Sequence, residues 1–452
     1  MGRVGSRHSI NCFHGLVLAF IAQSLETRAS TSLRLSDAVS RALEQNPVVL
    51  QEREKEQAAS QSLYKAYSTL APEIRGSVGL SQNKDALTSP SARFNGEWFN
   101  AYSAQLEARS TLYGGGAILG TLRSLQKDRE LSVLARQRVE RQTRRDVLLH
   151  FYKLLLAERQ VQNIRNRQRI QQELLKTAEA RYRIGNEQAL SVMQIKTGLL
   201  LLAPQVAQAE NAVQIAANEL GNLLGMSSSE TLSVSGSLRP PTDLGQLLQT
   251  PRPVGVRLEQ QEARLRLAKV ENTRATRMAV HLPRLDAYAR WGRNTYRRSD
   301  LLDSDATQTQ IGLDLQIPIF SGLGSVFDRR ALAAEESIAR IEDRKLSDTF
   351  ELERVKAEKS FRFSLTQAQT YQQALAQAEE SVRVANRTYR LGTSTYLQVS
   401  DAQKNLAEAE INFETAQFEV LQKTSDLYVA YAWPLEEWVD SLEKHYLGMQ
   451  KP

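Results

Sequence analysis

Histidines, cysteines and glycine-rich loops often serve in catalysis or in the binding of metals and nucleotides. In this chain their spacing matches no known pattern of either kind. No two of its five histidines lie at a metal-ligand spacing. The single cysteine, Cys12, precedes a short apolar segment near the N-terminus, so a processed protein would contain no thiol for catalysis, disulfides or zinc binding. The glycines between Gly114 and Gly120 match neither a dinucleotide-binding nor a phosphate-binding loop. The sequence therefore predicts no enzyme, no metal site and no cofactor.

One segment occurs twice, and the rest of the chain is arranged around it. Residues 181–225 and 388–432 align without a gap at a shift of 207 positions. Each copy has a Tyr-Arg pair just before Gly185 or Gly392, followed by apolar residues at alternating steps of three and four. That spacing is typical of a coiled-coil seam, and glycine suits a reversal that needs a left-handed backbone. Each copy is therefore predicted to form a helical hairpin closed by a glycine turn.

Two segments in each half alternate apolar and polar residues, which predicts strands with one apolar face. Strands of about ten residues can cross a bilayer when they are tilted. Four strands are too few to close a barrel. A sheet edge in lipid would leave backbone groups unpaired. If these strands lie in a membrane, strands from other copies of the chain must therefore complete the barrel. A soluble sheet covering a helical bundle is the alternative. The predicted strands are 73–82, 101–113, 284–293 and 308–320.

The remaining segments complete the predicted organisation. Basic residues, a short apolar core and small residues near a cleavage point indicate a signal peptide in residues 1–29. No run of 18 apolar residues follows, so a transmembrane helix is not expected. The predicted units are a first repeat at 30–225, a connector at 226–253, a second repeat at 254–432 and a C-terminal tail at 433–452 without a counterpart.

The order of these features resembles the TolC family of outer-membrane efflux proteins. The resemblance covers residues 33–433 and rests on the duplication, the turns, the proline-terminated helices before the first strand of each half, and the Pro-Ile-Phe-Ser-Gly sequence at 318–322. It implies a mainly α fold with a transmembrane β-barrel. Four strands per chain would form a twelve-stranded barrel in a homotrimer, joined to a twelve-helix periplasmic tunnel. The implied location is the outer membrane of a Gram-negative bacterium, with a large periplasmic part.

The resemblance also implies roles for individual residues near the glycine turns. Asp401 matches one position of a family pattern whose aspartates narrow the pore, and Gln398 replaces the other aspartate, so a ring of carboxylates would be weaker or absent. Tyr389 matches a tyrosine that latches the closed tip, with Ser191 as its expected partner across the turn. The residues implied in adaptor docking at the periplasmic tip are Arg183, Gly185, Arg390 and Gly392.

The function that the resemblance implies is an exit duct of a tripartite efflux or type I secretion system, conducting substrates passively to the outside. Its partners would be outer-membrane lipid, a periplasmic adaptor (membrane fusion protein) and an inner-membrane pump, with no nucleic acid. The competing hypothesis is a non-conducting periplasmic or surface coiled-coil scaffold. A scaffold accounts for the seam helices but not for four alternating strands placed between helices.

The net charge of +7 does not by itself identify a partner, but its distribution is uneven. Residues 117–184 contain 16 Lys/Arg and 7 Asp/Glu, whereas residues 325–391 contain 12 and 11. If the basic excess lined the tunnel, anionic cargo would be favoured. If it faced outward, it would form a solvated flank or a surface for the adaptor, and this orientation is the prediction.

Overall fold

The computed structural model describes residues 32–84, 97–226, 232–249, 252–298, 307–320 and 322–449, and the predicted signal peptide lies outside these residues. The described residues form eight α-helices, four strands and two short 3₁₀ turns. In chain order the helices and strands are α1 (Leu35–Gln45), α2 (Pro47–Ser68), β1 (Glu73–Lys84), β2 (Trp98–Gly114), α3 (Ala117–Arg183), α4 (Ala189–Leu223), α5 (Leu258–Met278), β3 (Arg284–Thr295), β4 (Thr307–Gln316), α6 (Gly324–Leu391), α7 (Tyr396–Ala430) and α8 (Leu435–Met449).

Two long hairpins, α3–α4 and α6–α7, dominate the structure. α4 and α7 coincide at both ends when α4 is shifted by the 207 positions seen in the sequence. The turns contain Gly185 at φ 80° and Gly392 at φ 79°, the left-handed backbone that the sequence predicts there. Both glycines have open space where a Cβ would lie, so backbone conformation rather than crowding is the reason for glycine.

The short helices α1 and α2 meet at Asn46. Pro47 disfavours a helical backbone at the preceding residue, and Asn46 has an extended ψ of 124°. The Asn46 Oδ1 accepts hydrogen bonds from the first backbone N–H groups of α2, and its Nδ2 donates to the carbonyl of Leu223 at 2.9 Å. The end of α4 therefore meets the start of α2, and these two helices follow one another along α3.

Both repeats end in a residue with a left-handed backbone. After α4 this residue is Gly225, at φ 67°; after α7 it is Ala432, at φ 54°. Ala432 is the only non-glycine residue at positive φ in the described part of the chain. A Cβ on Gly225 would lie 2.7 Å from the carbonyl oxygen of Gln45, so the α1–α2 junction packs directly on this turn.

The four strands form one antiparallel sheet in the order β1-β2-β3-β4. A register shift between Thr111 and Tyr113 marks a bulge in β2, close to where the chain leaves the sheet for α3. β4 ends at Gln316, before the predicted end at 320, because Pro318 has no N–H for the ladder. β1 and β4 are the outer strands of the sheet, and each therefore has one edge that its own subunit does not pair.

Basic side chains of α3 form ion pairs with carboxylates on five other helices. These pairs lie within one subunit, but Arg138 and Lys153 stay 44% and 49% exposed. The ion pairs do not decide between the lumen and the outside of the tunnel, so the outward orientation stays a prediction. The partners of Arg144 and Arg145 lie far away in sequence. The pairs and their N–O distances are Arg136–Glu56 at 2.6 Å, Lys153–Glu219 at 2.5 Å, Arg138–Glu262 at 3.0 Å, Arg145–Asp426 at 2.5 Å and Arg144–Glu436 at 3.2 Å.

The main hydrophobic core lies midway along the helices, where α1, α3, α4, α7 and α8 meet. Phe151 and Trp438 are fully buried in it, and the Trp438 Nε1 donates to the hydroxyl of Ser425 at 3.2 Å. The C-terminal tail forms α8, which covers α1: the Ser36 hydroxyl donates to Glu443 at 2.8 Å. The first and last helices of the described chain therefore close the same core.

One described helix, α4, is long and apolar enough to cross a membrane by length and composition alone. The sequence analysis predicts no transmembrane helix because it requires 18 consecutive apolar residues, and α4 contains polar residues within its apolar stretch. α4 packs lengthwise on α3, and ion pairs tie the two helices together: Lys196 with Glu179 and Arg165 with Glu210. Only 11% of the most apolar window of α4 is buried within the subunit, and Leu200 and Leu201 are exposed.

Candidate functional sites at the two ends of the subunit

The turns that end the two hairpins present the residues predicted to dock an adaptor. Arg183 and Gly185 of the first turn are exposed, and so are Arg390 and Gly392 of the second. The main chain of each turn closes its helix, with backbone hydrogen bonds from Gly185 to Tyr182 and from Gly392 to Tyr389. The turns leave two guanidinium groups accessible, which suits recognition of a partner, and docking itself stays a prediction.

Tyr389 connects the second hairpin to the first. Its side chain is 2% exposed, and its hydroxyl donates to Glu187 Oε2 at 2.8 Å. Arg181 lies over the Tyr389 ring, 5.3 Å from the centroid, and its guanidinium donates to the backbone carbonyls of Tyr389 and Arg390. Burial and the adjacent Glu187 carboxylate raise the pKa of the Tyr389 phenol, so the hydroxyl stays protonated as the donor.

Within the subunit, the hydrogen-bond partner of Tyr389 differs from the predicted one. Ser191 was expected to accept the hydroxyl, but the acceptor is Glu187, and the bond recorded for Ser191 is a backbone one to Gln188. Glu187 and Arg181 are the two tip residues that sequence reasoning missed. An acidic residue directly after the glycine turn was the available signal, because a carboxylate is a stronger acceptor than a serine hydroxyl.

A second polar contact joins α3, well before the first turn, to the start of α7, just after the second turn. The Gln171 Nε2 on α3 donates to the Tyr396 hydroxyl on α7 at 2.8 Å and lies 3.4 Å from the carbonyl oxygen of Ile195 on α4. Both side chains are buried, at 5% exposure for Gln171 and 7% for Tyr396. Tyr396 belongs to a small core with Ile195 and Val399, which are fully buried.

The two residues predicted at the pore constriction lie on one exposed face of α7. Gln398 and Asp401 are three positions apart and exposed, whereas Val399 is buried on the opposite side. Gln398 Oε1 accepts the backbone N–H of Thr395 at 3.2 Å and completes a capping box at the start of α7. Gln398 therefore has a structural role within the subunit, and Asp401 presents an exposed carboxylate beside it.

The sheet at the other end of the subunit has two chemically different faces. Directly paired residues share a face, and one face carries Glu107 between Arg109 and Arg290, at 3.2 Å and 3.3 Å. The opposite face is apolar and exposed, which is unusual for a sheet of this size in water. Its exposed members are Ile74, Val78, Leu80, Leu106, Trp291, Ile311, Leu313 and Leu315.

Comparison with protein-family models matches residues 38–226 and 257–432 to the family described as outer membrane efflux protein. The matched segments cover both repeats and leave the connector and α8 outside. No curated protein matches the chain.

Solved structures of outer-membrane proteins share the fold at low sequence identity. The outer membrane protein VceC of Vibrio cholerae has 16% identity and a TM-score of 0.74, over 88% of this chain and 96% of that chain. The CmeC outer membrane channel of Campylobacter jejuni has 16% identity and a TM-score of 0.73, over 99% and 97%. The open state of the MtrE outer membrane channel of Neisseria gonorrhoeae has 15% identity and a TM-score of 0.72, over 88% and 89%.

Proposed function

The chain belongs to the outer membrane efflux protein family, and on that premise we propose that it is the outer-membrane exit duct of a tripartite efflux or type I secretion system. It conducts substrates passively from the periplasm, or from an inner-membrane pump, to the outside. The observation that carries this proposal is the sheet: one apolar face is exposed, one face is polar, and both outer strands have an unpaired edge.

The open edges favour a barrel made from several subunits. In hydrocarbon, each unpaired backbone group costs several kcal/mol, so only a closed sheet is stable there. Three subunits with four strands each give twelve strands, which is within the range of outer-membrane barrels. We therefore propose a homotrimer in which β1 of one subunit pairs with β4 of the next, with the apolar face toward lipid and the polar face toward the lumen.

The position of the apolar residues supports a tilted transmembrane barrel. They occupy 74–80 on β1 and 311–315 on β4, and the register displaces the two groups by about five residues across the sheet. These groups form a level band only if the strands tilt by roughly 45–50°, given about 3.3 Å per residue and about 4.8 Å between strands. Barrels in outer membranes have tilts of about 35–45°.

The hairpin turns would then form the periplasmic tip of the duct. The exposed Arg183 and Arg390 are available to an adaptor there, and Asp401 and Gln398 share an exposed α7 face that could line the narrowest part of the lumen. The bond from Tyr389 to Glu187 ties the second hairpin to the first. We propose that this bond holds the tip closed and that opening requires it to break.

Single-channel recording in planar bilayers tests the proposal. The purified wild type should conduct rarely, and the double variant Tyr389→Phe/Asp401→Ala should open frequently, because it loses the bond to Glu187 and the proposed carboxylate ring. Tyr182→Phe is a matched control, because Tyr182 is the equivalent residue of the first repeat and is about half exposed. A scaffold would give no current in any variant, and that result would overturn the proposed function.

A further inference from the structure

We propose that Gln171, Gly198 and Tyr396 form a second clasp that keeps the proposed gate closed, separate from the bond between Tyr389 and Glu187. This inference rests on the proposed function and adds to it. The two contacts engage different helices of the second hairpin: Tyr389 lies at the end of α6, and Tyr396 begins α7. Any movement that separates the hairpins must therefore break both contacts.

The two side chains of the clasp lie at different distances from their own turns, because Tyr396 follows Gly392 by only four positions. Gln171 lies 13 positions before Ile184, the residue after α3, so it is roughly 20 Å along the helix from the tip. Its amide contacts α7 through the Tyr396 hydroxyl and also lies 3.4 Å from the Ile195 carbonyl of α4. One side chain thus joins three helices, and it belongs to the first hairpin while its main partner belongs to the second.

Burial makes this contact costly to break. Gln171 and Tyr396 are both more than nine-tenths buried, and Tyr396 belongs to a core cluster with the fully buried Ile195 and Val399. A buried amide or hydroxyl that loses its partner without gaining water is strongly disfavoured. The hairpins can therefore separate here only if water enters and replaces the lost hydrogen bond, which couples the clasp to opening.

Gly198 provides the space that the clasp needs. An ideal Cβ at this position would lie 3.0 Å from the Gln171 Nε2 and 3.4 Å from the Tyr396 hydroxyl oxygen. Glycine inside a helix is unfavourable relative to alanine, and α4 has regular helical structure around it. The close approach of the amide and the phenol leaves little room for a Cβ at this point of α4, so a larger residue would push the amide away from the phenol.

Variants that remove a single group test the clasp by planar-bilayer recording. Tyr396→Phe deletes only the hydroxyl, and Gly198→Ala adds one methyl group against the amide. Each should raise the open probability at least about tenfold, because three copies of a hydrogen bond are weakened together in the trimer. Each combined with Tyr389→Phe should open more than either variant alone.

The controls separate a gating role from a structural one. Gly221→Ala lies on the same helix with its nearest Cβ contact at 3.9 Å, and it should leave the open probability unchanged. Trimer content and melting temperature in detergent should change little in Tyr396→Phe. If Tyr389→Phe opens the channel while Tyr396→Phe and Gly198→Ala match the wild type, the clasp is overturned and the proposed function stands. If no variant conducts, both proposals are overturned.

Discussion

The turn that ends the first repeat has a glycine where the turn that ends the second repeat has an alanine. We expect Gly→Ala in the first turn to destabilise the protein and Ala→Gly in the second turn to stabilise it. Gly225 and Ala432 occupy equivalent positions, both at positive φ. In Gly225→Ala, the left-handed backbone costs roughly 1–2 kcal/mol for a non-glycine residue. The new Cβ would also lie 2.7 Å from the Gln45 carbonyl oxygen, and relieving such overpacking costs about 1–3 kcal/mol. We expect Gly225→Ala to lower the free energy of unfolding by about 2–4 kcal/mol after the reduced entropy of the unfolded chain is included.

The reverse change at the second repeat is the matched control. Ala432→Gly removes roughly 1–2 kcal/mol of backbone strain and adds about 0.5–1 kcal/mol of conformational entropy cost. The variant should therefore be more stable than the wild type by about 0.5–1 kcal/mol. The two substitutions test the same backbone conformation in opposite directions.

Thermal unfolding in detergent, followed by circular dichroism at 222 nm, measures the sign of both effects. Protein and detergent concentrations must be equal in all samples, because oligomerisation shifts the apparent melting temperature. Hydrogen exchange at the junction of α1 and α2 should become faster in Gly225→Ala, because the displaced Gln45 belongs to that junction. A lower melting temperature for Ala432→Gly, or no change for Gly225→Ala, would refute the equivalence of the two turns.

Three further substitutions test other parts of the structure. Arg145→Gln should lower the melting temperature and leave single-channel ion selectivity unchanged, because Arg145 pairs with Asp426 inside the subunit; altered selectivity would support a luminal position instead. Burial raises the pKa of the Glu414 carboxyl above its usual 4.5, so the contribution of this one group to stability falls as pH rises from that value through the pKa of the folded state. Glu414→Gln should therefore stabilise the protein at neutral pH, and the gain in melting temperature should shrink toward pH 4.5; a gain independent of pH would contradict this. Asn46→Ala should cost about 1–2 kcal/mol through the lost helix cap, whereas Asn46→Ser, which keeps the acceptor, should cost less in the same unfolding assay.

Local features of the fold were predictable because they depend on nearby residues. The glycine turns follow from chirality at Gly185 and Gly392, and the break between α1 and α2 follows from Pro47. The spacing of the apolar seam residues predicts that the two helices of each hairpin pack against each other. The repeat at a shift of 207 positions predicts that the returning helices α4 and α7 have the same length. Alternation located the strands within a few residues, except at the end of β4.

Long-range pairing was not predictable from one sequence. The acceptor for Tyr389 lies 202 positions away, and the choice between Ser191 and Glu187 depends on the packing of the two turns. The basic excess of α3 had no assignable partners, because its carboxylates come from five other helices. The contact between Gln171 and Tyr396 joins two ordinary seam positions and carries no motif.

The packing of α8 on α1 has a consequence for how the subunit matures. The central core contains Leu35 on α1 and Trp438 on α8, so it is complete only when these two helices, far apart in sequence, have come together. Contacts of such high sequence separation form slowly, and the apolar sheet face remains uncovered meanwhile. A chain in which α8 has not yet packed on α1 therefore exposes apolar surface of both the core and the sheet, and it is most prone to aggregate at that stage.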